Sequence, residues 1–211
     1  MSAEDYLREI LAPRVIVGGD TRDPKRTVVK LQEKLQPKNK ILLYVPPGSV
    51  VFHLDTFPAK SPFLNSKKNL HKGCDYVVFC PYREKYWFVL IELKSSDTAG
   101  AEIQLSYSIA FVRYLRELIF LHEGDGCRYE LTCLLFSSAP KFTKKTPTHP
   151  GKDRFRVYRM PSNPDRLSYY AFPYSQTFNL DLLLDSEPQA SKSHQHDLLN
   201  AQRCYYKEPE P

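Results

Sequence analysis

Three charged residues stand inside two otherwise apolar segments of this 211-residue chain. Asp75 opens a segment that continues as Tyr76-Val77-Val78-Phe79, and Glu92 and Lys94 end the next apolar segment along the chain. Because side chains alternate across a strand, Glu92 and Lys94 should point to one face, with Cα atoms roughly 6.6 Å apart. Asp75 lies level with Glu92 if the two segments pair as a tight hairpin. The spacing therefore predicts two carboxylates and an ammonium group that converge at one end of a sheet.

This set of groups suits the metal-dependent hydrolysis of a phosphodiester bond. Asp75, Glu92 and the backbone carbonyl of Leu93 offer the oxygen ligands that Mg²⁺ or Mn²⁺ prefers. A cation held there would polarise the phosphate and lower the pKa of a bound water. Lys94 would orient or deprotonate that water, or stabilise the charge that develops on the phosphate. The alternative interpretation is a structural salt bridge at a sheet edge, which needs no cation.

Positive charge gathers in three stretches of the chain, at 22–40, 56–74 and 138–166. The formal net charge is +6, and the third stretch alone has eight basic residues against two acidic ones. Its cations alternate with Phe142, Phe155 and Tyr158, a mixture that suits phosphate contact and stacking on bases. Nucleic acid, with DNA preferred, is therefore the predicted partner. The alternative is an ordinary basic surface that serves solubility.

Asp75 followed by Glu92-Leu93-Lys94, on a hairpin that leads into a helix, resembles the PD-(D/E)xK nuclease superfamily, which has the restriction-endonuclease-like fold. The resemblance covers about 41–136 and implies that Asp75, Glu92 and Lys94 are the catalytic residues. It departs from the usual motif at Cys74, which stands where the family has proline.

The resemblance also implies two further site residues. Gln104, near the start of the following helix, sits where some branches of the family place an active-site glutamine. A glutamate of the first helix often assists the metal in this family, and Glu33 is preferred here over Glu9 and Glu4 because it precedes the first sheet strands. Ser108 stands where one exonuclease branch has tyrosine, so membership of that branch is not indicated.

Apolar periodicity predicts short helices at 3–11 and 27–35, strands at 41–45, 50–57, 74–80 and 86–94, a long helix at about 100–122, and strands at 129–136 and 155–160. The stripe predicted to bury the long helix is Ile103, Tyr107, Ala110, Phe111, Tyr114, Leu115 and Leu118. The predicted fold class is α/β, with a single mixed central sheet flanked by helices and a restriction-endonuclease-like αβββαβ core. This nuclease-like domain spans 1–185, and 186–211 is predicted to be a polar tail, flexible or peripheral.

Other features narrow the function and the location. No segment is long and apolar enough to cross a membrane, and Glu4 and Asp5 stand where a secretory signal would be basic. Five cysteines without close-paired spacing favour a reducing, intracellular location, so the chain is predicted to be cytoplasmic. Phosphate-binding loops, nucleophile elbows and dinucleotide fingerprints are absent from the sequence.

Together these observations predict a Mg²⁺- or Mn²⁺-dependent nuclease, a hydrolase that cuts DNA. An RNA nuclease and a nuclease-like domain that binds nucleic acid or a protein without cutting remain alternatives. Cutting both strands of a duplex calls for two active sites, so a homodimer or a complex with a partner subunit is a possible assembly. The resemblance is to a superfamily found in restriction, phage defence, repair and mobile elements.

Overall fold

The computed structural model describes residues 1–23, 26–33, 36, 38–54, 73–95, 98, 100–123, 128–138, 156–159, 168–174 and 177–185. The basic residues at 56–72, those at 139–155 and the predicted polar tail at 186–211 lie outside these ranges. The predicted end of the domain at 185 therefore stays a prediction.

The elements follow one another along the chain as helices and strands in mixed order. They are α1 (Ala3–Ile10), a 3₁₀ helix (Pro13–Val15), β1 (Asp20–Asp23), β2 (Arg26–Gln32), β3 (Lys40–Val45), β4 (Val50–His53), β5 (Tyr76–Tyr82), β6 (Lys85–Lys94), α2 (Ala101–Glu123), β7 (Tyr129–Ser137), β8 (Arg156–Arg159), β9 (Ser168–Pro173), β10 (Thr177–Asn179) and α3 (Leu180–Leu184). The predicted hairpin at Asp75 to Lys94 and the long helix that follows it are both present. The α/β class is confirmed.

The strands form two mixed sheets. The larger has six strands in the order β4-β5-β6-β7-β9-β8, in which β5 is antiparallel to both neighbours and β7 is parallel to both of its neighbours. The smaller has four strands in the order β1-β2-β3-β10. Because the second sheet exists, the prediction of a single central sheet was wrong in part.

The two sheets and the helices stack as layers. Helices α1 and α2 pack on one face of the six-stranded sheet, through Leu7 of α1 and Leu105 and Ile109 of α2. The four-stranded sheet and α3 pack on the other face, through side chains such as Leu43 and Leu183. Both faces of the central sheet are therefore buried, which explains why its strands are apolar almost throughout.

Residues 27–32 of the helix predicted at 27–35 lie instead in strand β2, and 34–35 lie outside the described residues. Val29 and Leu31 are buried, and they pair with Leu43 and Ile41 of β3. The buried side chains of this segment therefore recur every second residue, as in a strand, and the β-branched run Thr27-Val28-Val29 favours the same conformation. Val28 and Leu31, which fit a helical spacing in the sequence, lie on opposite faces of this strand.

Helix α2 has its predicted length, and the predicted stripe is only partly on the buried side. Leu115 of that stripe is buried, and Phe111 and Leu118 pack against the core. Leu105, Ile109, Val112 and Ile119 are among its buried residues. Ile103 and Tyr114, which the sequence placed on the core side, are 56% and 58% exposed. Apolar residues occur on both sides of this helix, so periodicity alone could not select the face that packs on the sheet. In the part of the chain that is described, no helix combines the length and the apolar character needed to span a membrane.

Candidate active site

The hairpin of β5 and β6 brings Asp75 beside Glu92. Tyr76 pairs with Ile91, so the residue before Tyr76 lies level with the residue after Ile91. The Leu93 N–H donates a 2.7 Å hydrogen bond to Asp75 Oδ2, which fixes the carboxylate against β6. Because the N–H and C=O of one strand residue point the same way, the Leu93 carbonyl faces the same side. Asp75, Glu92 and the Leu93 carbonyl thus share the open end of the hairpin.

Glu92 is buried, and its two carboxyl oxygens have different surroundings. Its side chain is 1% exposed, and Lys94 Nζ lies 2.6 Å from its Oε1. Among the described residues nothing forms a hydrogen bond with Oε2. A buried polar atom without a partner costs free energy, so this oxygen marks a place where a proton or a positive ligand is needed.

The protonation of Glu92 reflects this environment. Burial raises the pKa of Glu92 to about 8, and the negative charge of Asp75 adds to the rise, while Lys94 and a backbone hydrogen bond from Asp75 partly oppose it. The carboxyl is therefore mostly protonated at neutral pH as long as no cation is bound. A divalent cation between the two carboxyls would favour the ionised form instead.

Gln104 connects helix α2 to the end of β6 and to the segment that precedes β5. Lys94 Nζ donates a 2.5 Å hydrogen bond to Gln104 Oε1, and Gln104 Nε2 donates to the Gly73 carbonyl at 3.2 Å. The contacts with Glu92 and Gln104 hold the ammonium group of Lys94 in place, and the side chain as a whole is 20% exposed. The structure brings together Asp75, Glu92, Lys94 and Gln104.

Ser108 supports this arrangement in a way that the sequence did not indicate. The buried Ser108 Oγ accepts a 2.7 Å hydrogen bond from the Cys74 N–H and donates a 2.7 Å bond to the Gln104 carbonyl. It therefore ties the residue before Asp75 to the helix that carries Gln104. A serine at helical spacing from a glutamine has no distinctive motif, so only the fold reveals this role.

Glu33 does not lie in a helix. It directly follows strand β2, so its selection as a first-helix acid was wrong. Glu33 Oε2 accepts hydrogen bonds from Asn39 Nδ2 at 2.7 Å and from the Tyr174 hydroxyl at 3.4 Å. Burial raises the pKa of Tyr174, and the charges of Glu33, Asp75 and Glu92 raise it further. The neutral Tyr174 phenol thus lies within electrostatic reach of three carboxyl groups.

The acids of α1 lie far from this site. Glu4 Oε2 accepts a hydrogen bond from Tyr86, near the opposite end of β6, and Tyr6 stacks on His122 near the last turn of α2. At about 1.5 Å per residue, His122 is roughly 27 Å along the helix from Gln104. Helix α1 therefore supplies no ligand here, because it packs against the wrong end of α2.

The site offers few protein ligands for a metal. In the described ranges, no three side chains of His, Cys, Asp or Glu converge to form a metal site, so Glu33 does not complete one with Asp75 and Glu92. Two carboxyl groups and the Leu93 carbonyl remain. This donor set fits Mg²⁺, which keeps several waters and is often bound by one or two carboxylates. The unpartnered Glu92 Oε2 supports the same fit.

Comparisons with protein-family models, with curated proteins and with solved structures find no match for this chain. The site must therefore be interpreted from its own geometry.

Proposed function

We propose that this protein is a metal-dependent nuclease that hydrolyses phosphodiester bonds of DNA at the Asp75, Glu92 and Lys94 site. The observation that carries the proposal is Glu92 Oε2, a buried carboxyl oxygen without a hydrogen-bond partner in the described part of the chain, beside a second carboxyl group. A purely structural salt bridge has no need for the second acid, and Asp75 makes the burial of Glu92 less favourable.

Each residue of the site has a distinct role in this proposal. Asp75 and Glu92, with the Leu93 carbonyl, would hold Mg²⁺ or Mn²⁺, and the cation when bound would supply Lewis-acid polarisation of the phosphate. Lys94 would hold the attacking water or stabilise negative charge on the phosphate oxygens. Gln104 accepts a hydrogen bond from Lys94 and so orients its ammonium group.

The order of the elements supports membership of the PD-(D/E)xK superfamily. Helix α1 precedes the antiparallel strands β4, β5 and β6, and α2 then crosses over to β7, which is parallel to β6. With β1, β2 and β3 set aside, these elements fit the αβββαβ order that the resemblance implies. The second sheet would then be an addition to that core.

Nucleic acid is the proposed substrate class because the chain carries a formal charge of +6, and phosphate contacts depend on such charge; DNA is the polymer that we propose. RNA is the alternative substrate, which paired assays on both polymers separate. The proposal includes a reducing, cytoplasmic location, which the free thiols of Cys74, Cys80 and Cys133 support.

The test is a cleavage assay with circular, linear and single-stranded DNA and with RNA, in Mg²⁺ and in Mn²⁺. We expect Asp75→Ala and Lys94→Ala to abolish cleavage and to leave salt-sensitive binding intact. Lys85→Ala is the matched control, since Lys85 pairs with Glu130 near the other end of β6. The enzymatic proposal fails if the purified protein cuts none of these substrates.

A non-cleaving nuclease-like domain is the second candidate. It is favoured by the lack of a third acidic ligand among the described residues. Such a domain would bind nucleic acid or a protein and would need no cation. The two candidates differ in metal binding: a nuclease should gain thermal stability from Mn²⁺, and Glu92→Ala should remove that gain.

A further inference from the structure

Helix α2 carries a second apolar face that points away from the core. At about 100° per residue, six residues with alternating spacings of four and three fall on one narrow arc. This outer stripe consists of Ile103, Tyr107, Ala110, Tyr114, Glu117 and Leu121. Ile103, Tyr114 and Leu121 are 56%, 58% and 74% exposed.

The outer stripe lies opposite the face that packs on the sheet. Leu105, Val112 and Ile119 define the buried side, about half a turn away. A helix with a single core contact normally presents charged residues to water, and five of the six outer residues are not charged. Clustered exposed apolar side chains of this kind mark a contact surface.

We propose that the outer stripe pairs with the same stripe of a second copy of this chain, with the two helices antiparallel. The residues of the stripe are spaced symmetrically along the helix on either side of Val112. A twofold axis that passes between the two helices at that level therefore places each stripe residue opposite the stripe residue at the same distance on the other side of Val112 in the second copy. The resulting layers are Ile103 with Leu121, Tyr107 with Glu117, and Ala110 with Tyr114.

The chemistry of these layers selects the antiparallel direction. A parallel pair would place Glu117 beside Glu117 of the partner subunit, two like charges at a contact. The antiparallel pair instead sets the hydroxyl of Tyr107 beside the carboxylate of Glu117, which also pairs with Arg116 of its own helix, and the small Ala110 beside the large Tyr114. In the antiparallel pair the two helix dipoles also point in opposite directions, which is the favourable arrangement.

The size of the stripe fits a small but specific dimer. Because one of the six residues is alanine and Tyr107 is already half-buried, pairing buries at most about 1,000 Å² in total, the lower limit for a specific interface. We therefore expect a dimer that dissociates on dilution. The pairing does not rest on the proposed nuclease activity.

Sedimentation velocity of the full chain, from about 1 µM to about 200 µM, measures this equilibrium. We expect the wild type to shift from monomer to dimer across this range and Ile103→Glu to weaken dimerisation at least tenfold. Leu182→Glu is the matched control, since Leu182 is 68% exposed but lies on α3. The proposal is overturned if the wild type is monomeric at every concentration. In that case the stripe would be covered by nucleic acid or by another part of the chain, and not by a second copy.

A charge-pair variant tests the register. Leu121→Lys alone should also weaken the dimer, and Ile103→Glu combined with Leu121→Lys should restore it, because each glutamate then meets a lysine of the partner subunit. If the double variant is weaker than either single one, the antiparallel register is wrong. Circular dichroism of all variants checks that these exposed substitutions leave the fold unchanged.

Discussion

Replacing Glu92 with glutamine should change how the stability of this protein depends on pH. The carboxyl has a pKa of about 8 in the folded protein and 4.5 as its ordinary value. The folded state therefore binds more protons than the unfolded state between these two values, so the free energy of unfolding falls as the pH rises through this window. Glutamine cannot ionise and removes this contribution.

The size of the effect follows from the two pKa values. The difference between 4.5 and about 8, at about 1.36 kcal/mol per pH unit, corresponds to roughly 5 kcal/mol of unfolding free energy. At pH 5 the wild type and Glu92→Gln should differ by less than about 1 kcal/mol, because Glu92 is neutral in the folded protein and pH 5 lies only half a unit above its ordinary pKa of 4.5. At pH 8, without divalent cations, the variant should be the more stable protein by several kcal/mol.

Urea denaturation followed by circular dichroism at pH 5, 6, 7 and 8, in the presence of EDTA, measures this difference. Glu130→Gln is the control, because it removes a half-buried carboxylate that pairs with Lys85 away from the site. The reasoning is refuted if the wild type and Glu92→Gln keep a constant stability difference across this range.

A divalent cation should act in the opposite direction on the wild type. Mn²⁺ at a hundredfold excess over its Kd should raise the unfolding free energy by about 2.7 kcal/mol at pH 8. The same addition should leave Glu92→Gln nearly unchanged, because one of its two carboxylates is gone. Equal stabilisation of both proteins would place the cation elsewhere.

Three further substitutions test the neighbours of the carboxyl pair. Gln104→Ala should lower kcat about tenfold and leave the Mn²⁺-induced thermal shift intact, since Gln104 orients Lys94 and offers no carboxylate; loss of the shift would contradict this role. Ser108→Ala should lower the unfolding free energy in urea by about 1 to 3 kcal/mol, because the Cys74 N–H loses its buried acceptor; an unchanged midpoint would contradict it. Tyr174→Phe should cost about 1 kcal/mol or less in the same measurement, since Asn39 still donates to Glu33; a larger loss would show that the hydroxyl does more than donate one long bond.

The local part of the site could be predicted from the sequence. Alternation along β6 puts Glu92 and Lys94 on one face, and the short connection at Arg83 sets Asp75 level with Glu92. The apolar pattern also predicted the helix after the hairpin, and Gln104 became a candidate because it lies near the start of that helix. These relations involve residues fewer than thirty positions apart, within elements whose periods are known in advance.

The contacts between residues that lie far apart in the sequence could not be predicted. Glu33 and Tyr174 are 141 residues apart and meet only because β2, in the four-stranded sheet, ends near the end of β9, in the six-stranded sheet. No motif joins them. Their contact depends on how one sheet packs on the other, and that packing is decided by the total apolar surface that the layers bury.

The sequence by itself determined strands β3 to β8, the hairpin of β5 and β6 and the polarity of the residues at its open end, because backbone sterics and side-chain alternation act between near neighbours. Only the tertiary structure decided that β2 is a strand of a second sheet, that α2 turns Leu105 rather than Ile103 to the core, and that one oxygen of Glu92 is buried without a partner in the described part of the chain. Each of these depends on which surfaces exclude water, a property of the assembled layers that no local pattern contains.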